Sequence, residues 1–156
     1  FYTDKDSIRG IFMFIMVVDG QGGGMGKSII EKLRPYVGGE HMLAAFGTNS
    51  IATANMMKAG ADKAATGENA IKVNAARADI IMGSIGIISS NSMFGELSHE
   101  MARAISESSA EKILIPIKRC GIYVAGVTAD TMPKLIDEAV DVCADMIKNK
   151  SKTKCD

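Results

Sequence analysis

The chain is poor in the residues that build metal centres and covalent frameworks. Its three cysteines, Cys120, Cys143 and Cys155, form an odd set with no CxxC pair. That argues against a disulfide framework and against zinc-ligand spacing, and it points to reduced thiols in a cytoplasmic protein. The two histidines, His41 and His99, are too few and too far apart in the sequence to suggest a metal centre. Net charge is missing as well, because 18 Lys and Arg balance 18 Asp and Glu. Without a global positive field, neither nucleic acid nor an anionic membrane is an expected partner. The apolar run over residues 11–18 falls far short of the ~20 residues that span a bilayer. It ends at Asp19 and a cluster of glycines rather than at a small-residue cleavage site, unlike a signal peptide.

What is present suits one globular domain. Hydrophobic residues make up 47% of the 156 and charged residues 23%, which excludes wholesale disorder. Residues 1–10 are polar and patternless and read as a loosely ordered arm. Residues 148–156 carry four lysines and read as a polar tail, leaving residues 11–147 as a single domain. Within it, apolar runs predict strands at 11–18, 43–46, 63–65, 80–82, 113–115 and 122–125. Helices are predicted at 26–34, ended before Pro35, and at 51–58, ended by Gly60. Others are expected at 71–76, at 100–106 with Ser98 as cap, and at 133–147 with Ile136, Val140, Cys143 and Ile147 on one face. Strands alternating with helices imply a three-layer, doubly wound, Rossmann-like α/β sheet that is mostly parallel. The last two strands are close enough in sequence for an antiparallel edge hairpin. The eleven methionines read as adaptable core filling, with Met56 and Met57 also available to a subunit contact in a homo-oligomer.

The chemistry concentrates after the first strand, where Gly20, Gly22, Gly23, Gly24 and Gly26 fall within seven residues. Glycines admit positive φ and let a phosphate approach the backbone, and the amides of a following helix start would then face the anion. The dinucleotide spacing G-x-G-x-x-G is one glycine short here, since its first glycine would fall on Gln21. Gly20, Gly24 and Gly26 instead give G-x-x-x-G-x-G, which resembles the cofactor loop of short-chain dehydrogenases, with Asp19 where threonine is common. Their Tyr-x-x-x-Lys pair is absent, because Tyr36 is followed by Glu40 and Tyr123 by Val127. The stretch from Gly22 to Ser28 also resembles the variant phosphate loop of nitrogenase iron-protein and chromosome-partition ATPases. That likeness implies Lys27 on the β/γ-phosphates and Ser28 on magnesium, although Gly22 and Gln21 depart from the pattern.

A broader likeness covers nearly the whole body. V-D-G-Q-G-G-G-M-G-K, F-G-T-N-S-I-A-T-A-N-M-M-K-A-G-A-D, A-T-G-E-N, A-D-I-I-M-G-S-I-G-I and K-I-L-I-P-I-K-R-C resemble an uncharacterised bacterial domain-of-unknown-function family. The resemblance implies a Rossmann-like fold and no assigned reaction.

A doubly wound sheet brings the loops after its strands to one edge. The second strand ends in Thr48, Asn49 and Ser50, with no carboxylate for ribose hydroxyls, so neutral donors there could accept a 2′-phosphate or cap the next helix. Gly83, Ser84 and Gly86 follow the fourth strand and would lie beneath a cofactor. Glu68 is the best-placed acid for chemistry or a surface carboxylate. Ser89, Ser90 and Asn91 read as loop residues, His99 as surface. Lys118 and Cys120 reach the same edge. The expectation is a nucleotide-binding protein, NAD(P) foremost, with Gly20, Gln21, Gly22, Gly23, Gly24, Met25 and Gly26 on the pyrophosphate. If it is an enzyme, oxidoreduction comes first. The alternatives are an ATP-binding protein using Lys27 and Ser28, and a non-enzymatic sensor of a nucleotide or phosphometabolite.

Overall fold

The computed structural model describes residues 12–118, 121–128 and 131–152, without the side chains of the last two. The expected arm at residues 1–10 lies outside these residues, as do Cys120 and Cys155.

Among the described residues the strands and α-helices alternate strictly: β1 (Phe14–Asp19), α1 (Gly24–Leu33), β2 (Met42–Gly47), α2 (Ser50–Lys58), β3 (Lys63–Thr66), α3 (Glu68–Ala75), β4 (Ile80–Ser84), α4 (His99–Glu107), β5 (Glu111–Ile115) and α5 (Met132–Lys152). The strands form one sheet in the order β3-β2-β1-β4-β5, and every pairing is parallel. Because both faces of β1 are covered, all six of its residues are buried and its sequence is an unbroken apolar run up to Asp19. Alternate residues divide between two cores. Ile15 and Val17 pack with Ile29, Ile30, Met56, Val140 and Cys143 beneath α1, α2 and α5. Met16 and Val18 pack with Phe46, Ile71, Met101 and Ile105 beneath α3 and α4. The result is the three-layer Rossmann-like sandwich that the alternation predicts.

Helix ends follow local chemistry. The Asn49 side chain accepts from the Ala52 amide to start α2, and Ser98 accepts from Met101 to start α4. Helix α3 starts three residues earlier than its apolar spacing indicates. Gly67 at φ 95 turns the chain there, and Glu68 suits the positive end of the helix dipole.

Three expectations are corrected. Residues 122–125 form no strand, so the edge hairpin is absent: Gly121 (φ 65) and Gly126 (φ 83) turn the backbone, and Tyr123 is 89% exposed. The closing helix, expected to end at residue 147, runs through Lys152, with Lys150 Nζ 3.8 Å from Asp79 Oδ1 near the start of β4. Met56 is fully buried in the core, which leaves only Met57 exposed for contact with another chain.

Gly83 lies in β4 because β1 passes close by: a Cβ there would sit 2.6 Å from the Val18 carbonyl oxygen. Strand packing by itself accounts for a glycine there. Gly83→Ala is therefore expected to cost about 2 kcal/mol by overpacking, read as a lower urea midpoint at unchanged slope.

Candidate functional site

Chain direction reverses between β1, which leads toward β2 and β3, and β4, which leads toward β5. In open parallel sheets this switch point opens a crevice at the carboxyl ends of the strands. The loop after β1, the end of β2 and the long connection from β4 to α4 meet there.

Asp19 closes β1 and is buried. Its Oδ1 accepts the Gly20 amide and its Oδ2 the Gly26 amide, both at 2.8 Å. Gly26 belongs to the first turn of α1, whose formal cap, Gly23 (φ 70), has no side chain to satisfy the free amides. Asp19 therefore caps the helix from five residues before its first residue. Burial pushes its carboxyl above the usual value; the Gly26, Gly20 and Met25 amides pull it back, and nearby Glu96 adds to the rise.

Glu96 was not among the residues singled out from sequence. Its Oε2 accepts from the Thr48 hydroxyl at 2.6 Å, the Gln21 amide at 2.8 Å and the Asn49 side-chain amide at 2.9 Å. The Thr48 hydroxyl foremost, then the Gln21 amide, hold this carboxyl below the usual range; partial burial opposes them, and Asn49 adds to the lowering. A 2′-phosphate at the end of β2 would meet this carboxylate, to which the Thr48 and Asn49 donors already turn. The connection bearing Glu96 is bent hard, with Asn91, Met93 and Phe94 all at φ between 56 and 64.

The expected site residues now separate by role. Gly20 is packed shut, since a Cβ there would sit 2.6 Å from both Met93 Sδ and Thr48 Oγ1. Gly23 has positive φ and lies against the Ala52 backbone, and Gly26 is pressed against Met56. Met25 packs partly into the core. Gln21 and Gly22 give their carbonyls to Asn49 and Asn55, each at 2.9 Å. Asn49 thus caps α2 and ties down the glycine loop as well. Ser50 is exposed in the first turn of α2. The Gly86 carbonyl accepts from the buried Ser92 hydroxyl at 2.6 Å.

Two glycines are different. Gly22 and Gly24 have no positive φ, and a Cβ on either would meet nothing within 4 Å. Their amides take no hydrogen bond among the described residues, and both residues are exposed. Ser84, at the end of β4, is 3% exposed, and its hydroxyl has no partner. Continuing the Val17–Met82 register brings it level with Asp19, on the sheet face that carries α1.

The other expected groups stand apart. Lys27 pairs with Glu31 at 3.7 Å on the outer face of α1, and the Ser28 hydroxyl bonds back to the Gly24 carbonyl at 3.0 Å. Neither is arranged as in a phosphate loop. Glu68 accepts from Ser98 at 2.5 Å, and His99 is exposed, 3.5 Å from Ser90. Lys118 is exposed beyond β5. A groove of about 390 Å³ between β5, residues 124–128 and α5 is lined mainly by apolar side chains, among them Ile113, Ile115, Val127 and Leu135.

Asp19→Asn would turn a side-chain N–H toward a backbone N–H, costing about 2 kcal/mol. The fold holds Asp19's proton more tightly than the unfolded chain does. The parent therefore loses stability as pH rises from the ordinary carboxylate range through the raised value, whereas Asn has no such slope. Urea melts across that range should show the gap between the two narrowing as pH rises; a widening gap would contradict the raised pKa.

No curated protein matches the sequence. A solved structure described as a dodecameric FMN-dependent UbiX-like decarboxylase from Escherichia coli O157:H7 resembles the chain with TM-score 0.49 and 12% identity, covering 87% of this chain and 95% of that one. The NAD(P) expectation is corrected by the loop's own hydrogen bonds; the cofactor named for that protein is FMN. In this chain the amides of Gly20, Gln21 and Gly26, expected on a pyrophosphate, are already held by Asp19 and Glu96. Among the described residues no helix is long and apolar enough to cross a membrane. Residues 14–148 match a family described as a domain of unknown function (DUF3842), and the chain belongs to that family.

Proposed function

We propose that the protein binds a small phosphorylated, nucleotide-like molecule at the carboxyl edge of its sheet. The anionic group lies over Gly22 and Gly24 at the front of α1, and the rest of the ligand extends over Ser84 and toward the end of β2. The observation that carries this reading is the pair of open glycines. Neither packing nor backbone conformation calls for glycine at either position, whereas close approach of a ligand to the main chain does. Their unpaired amides stand at the positive end of a ten-residue helix, which favours an anion. The orphaned Ser84 hydroxyl supports the same location, because a buried hydroxyl without a partner is costly unless something else satisfies it. The raised pKa of Asp19 agrees in sign: a carboxyl that keeps its proton more readily is a better neighbour for an anion.

Gly24→Ala separates ligand binding from folding. Alanine is the better helix former, so the variant should match the parent in stability or exceed it by about 0.5 kcal/mol. Its Cβ would occupy the approach to the main chain. Titration calorimetry with AMP, FMN and inorganic phosphate is expected to show affinity at least about tenfold weaker in the variant, a loss of ~1.4 kcal/mol. Unchanged affinity, or no binding of any of the three by the parent, would remove the reading.

A further inference from the structure

We propose that Glu96 reads a pair of adjacent hydroxyl groups on the ligand, making the bound molecule a ribose- or polyol-bearing phosphate. The inference rests on the phosphate reading given above and extends it to the far end of the same crevice.

Glu96 reaches the end of β2 from the connection between β4 and α4. A carboxylate at that place in a doubly wound sheet is positioned for ribose hydroxyls. Here the residues of β2's own end, Thr48 and Asn49, donate to it instead. Three donors from two separate loops converge on Oε2, filling the capacity of that oxygen. Oε1 accepts nothing among the described residues, on a side chain that is only half-buried. One oxygen anchors the carboxylate while the other keeps its lone pairs for a ligand. Two neighbouring hydroxyls are suited to such a group as donors, and a second phosphate is not, because it would bring like charge against the carboxylate.

The surrounding chain is shaped to hold Glu96 in place. Met93 and Phe94 stand at positive φ just before it, a conformation that L side chains rarely adopt. Gly20 leaves the space: a Cβ there would lie 2.9 Å from Glu96 Oε2. A residue serving only as a structural staple would need Oε2 alone. Glu96→Gln keeps that staple, because the glutamine carbonyl oxygen can accept from the same three donors, and puts an N–H donor where Oε1 stood.

The test uses the full chain and calorimetric titration with AMP, 2′,3′-dideoxy-AMP and inorganic phosphate, in the parent and in Glu96→Gln. The parent is expected to bind AMP about tenfold or more tightly than the dideoxy nucleotide, as hydrogen bonds to a charged group allow. Glu96→Gln should abolish the preference for AMP over dideoxy-AMP, with neither dideoxy-AMP nor phosphate bound more weakly than by the parent, since the change removes a negative charge from the crevice. Equal affinity of the parent for the two nucleotides would overturn the hydroxyl reading and leave the phosphate reading standing. An equal loss for both nucleotides in Glu96→Gln would reduce Glu96 to a staple. Failure of the parent to bind AMP, the dideoxy nucleotide or phosphate would remove both readings together.

Discussion

The Asp19 carboxylate sits at the junction of the first strand and the first helix, and the geometry of the whole edge follows from how it is satisfied. Burying a carboxyl group is costly unless hydrogen bonds replace the lost water. Main-chain amides supply them, and Asp19 takes those of Gly20 and Gly26. To present them, the chain between must fold back tightly over seven residues. It does so through a positive φ at Gln21 and Gly23 and with no side chain at Gly20 or Gly26. Much of the glycine content of this loop is therefore a consequence of an internal cap. What remains after that accounting, Gly22 and Gly24, is the part that faces outward.

Glu96 extends the same principle across the crevice. It takes the Gln21 amide, which Asp19 leaves free, and in doing so ties the loop after β1 to the end of β2 and to the connection after β4. Asn49 and Asn55 secure the carbonyls of that loop from α2. Three loops that would otherwise move independently become one polar frame, whose members restrain one another. The strained backbone before Glu96 is held by this network and by the buried bond from Ser92 to the Gly86 carbonyl. Two carboxylates of opposite pKa displacement lie side by side there. The buried one is raised by desolvation, and the half-buried one is lowered by its donors.

The layered fold was legible because its signals are short-ranged. The apolar run ending at Asp19 marks a strand covered on both faces, the spacing of Ile136, Val140, Cys143 and Ile147 marks the buried stripe of α5, and Ser98 and Asn49 cap the helices they precede. The edge hairpin was misread for a related reason. Residues 122–125 have the composition of a strand, but pairing is a long-range event, and the glycines beside them turn the chain away.

Local pattern alone determined the alternating α/β architecture, the parallel sheet and the place of the glycine loop, because strand, helix and turn preferences are set by neighbours within a few residues. It could also mark Thr48, Asn49 and Ser84 as lying at the carboxyl edge of the sheet. Only the tertiary structure decided what that edge is made of. Glu96 lies 75 residues from the Gln21 amide that it accepts, and no spacing rule connects them. Whether a loop amide is free for a ligand depends on which side chains folding brings against it, and in this protein two carboxylates arrive first.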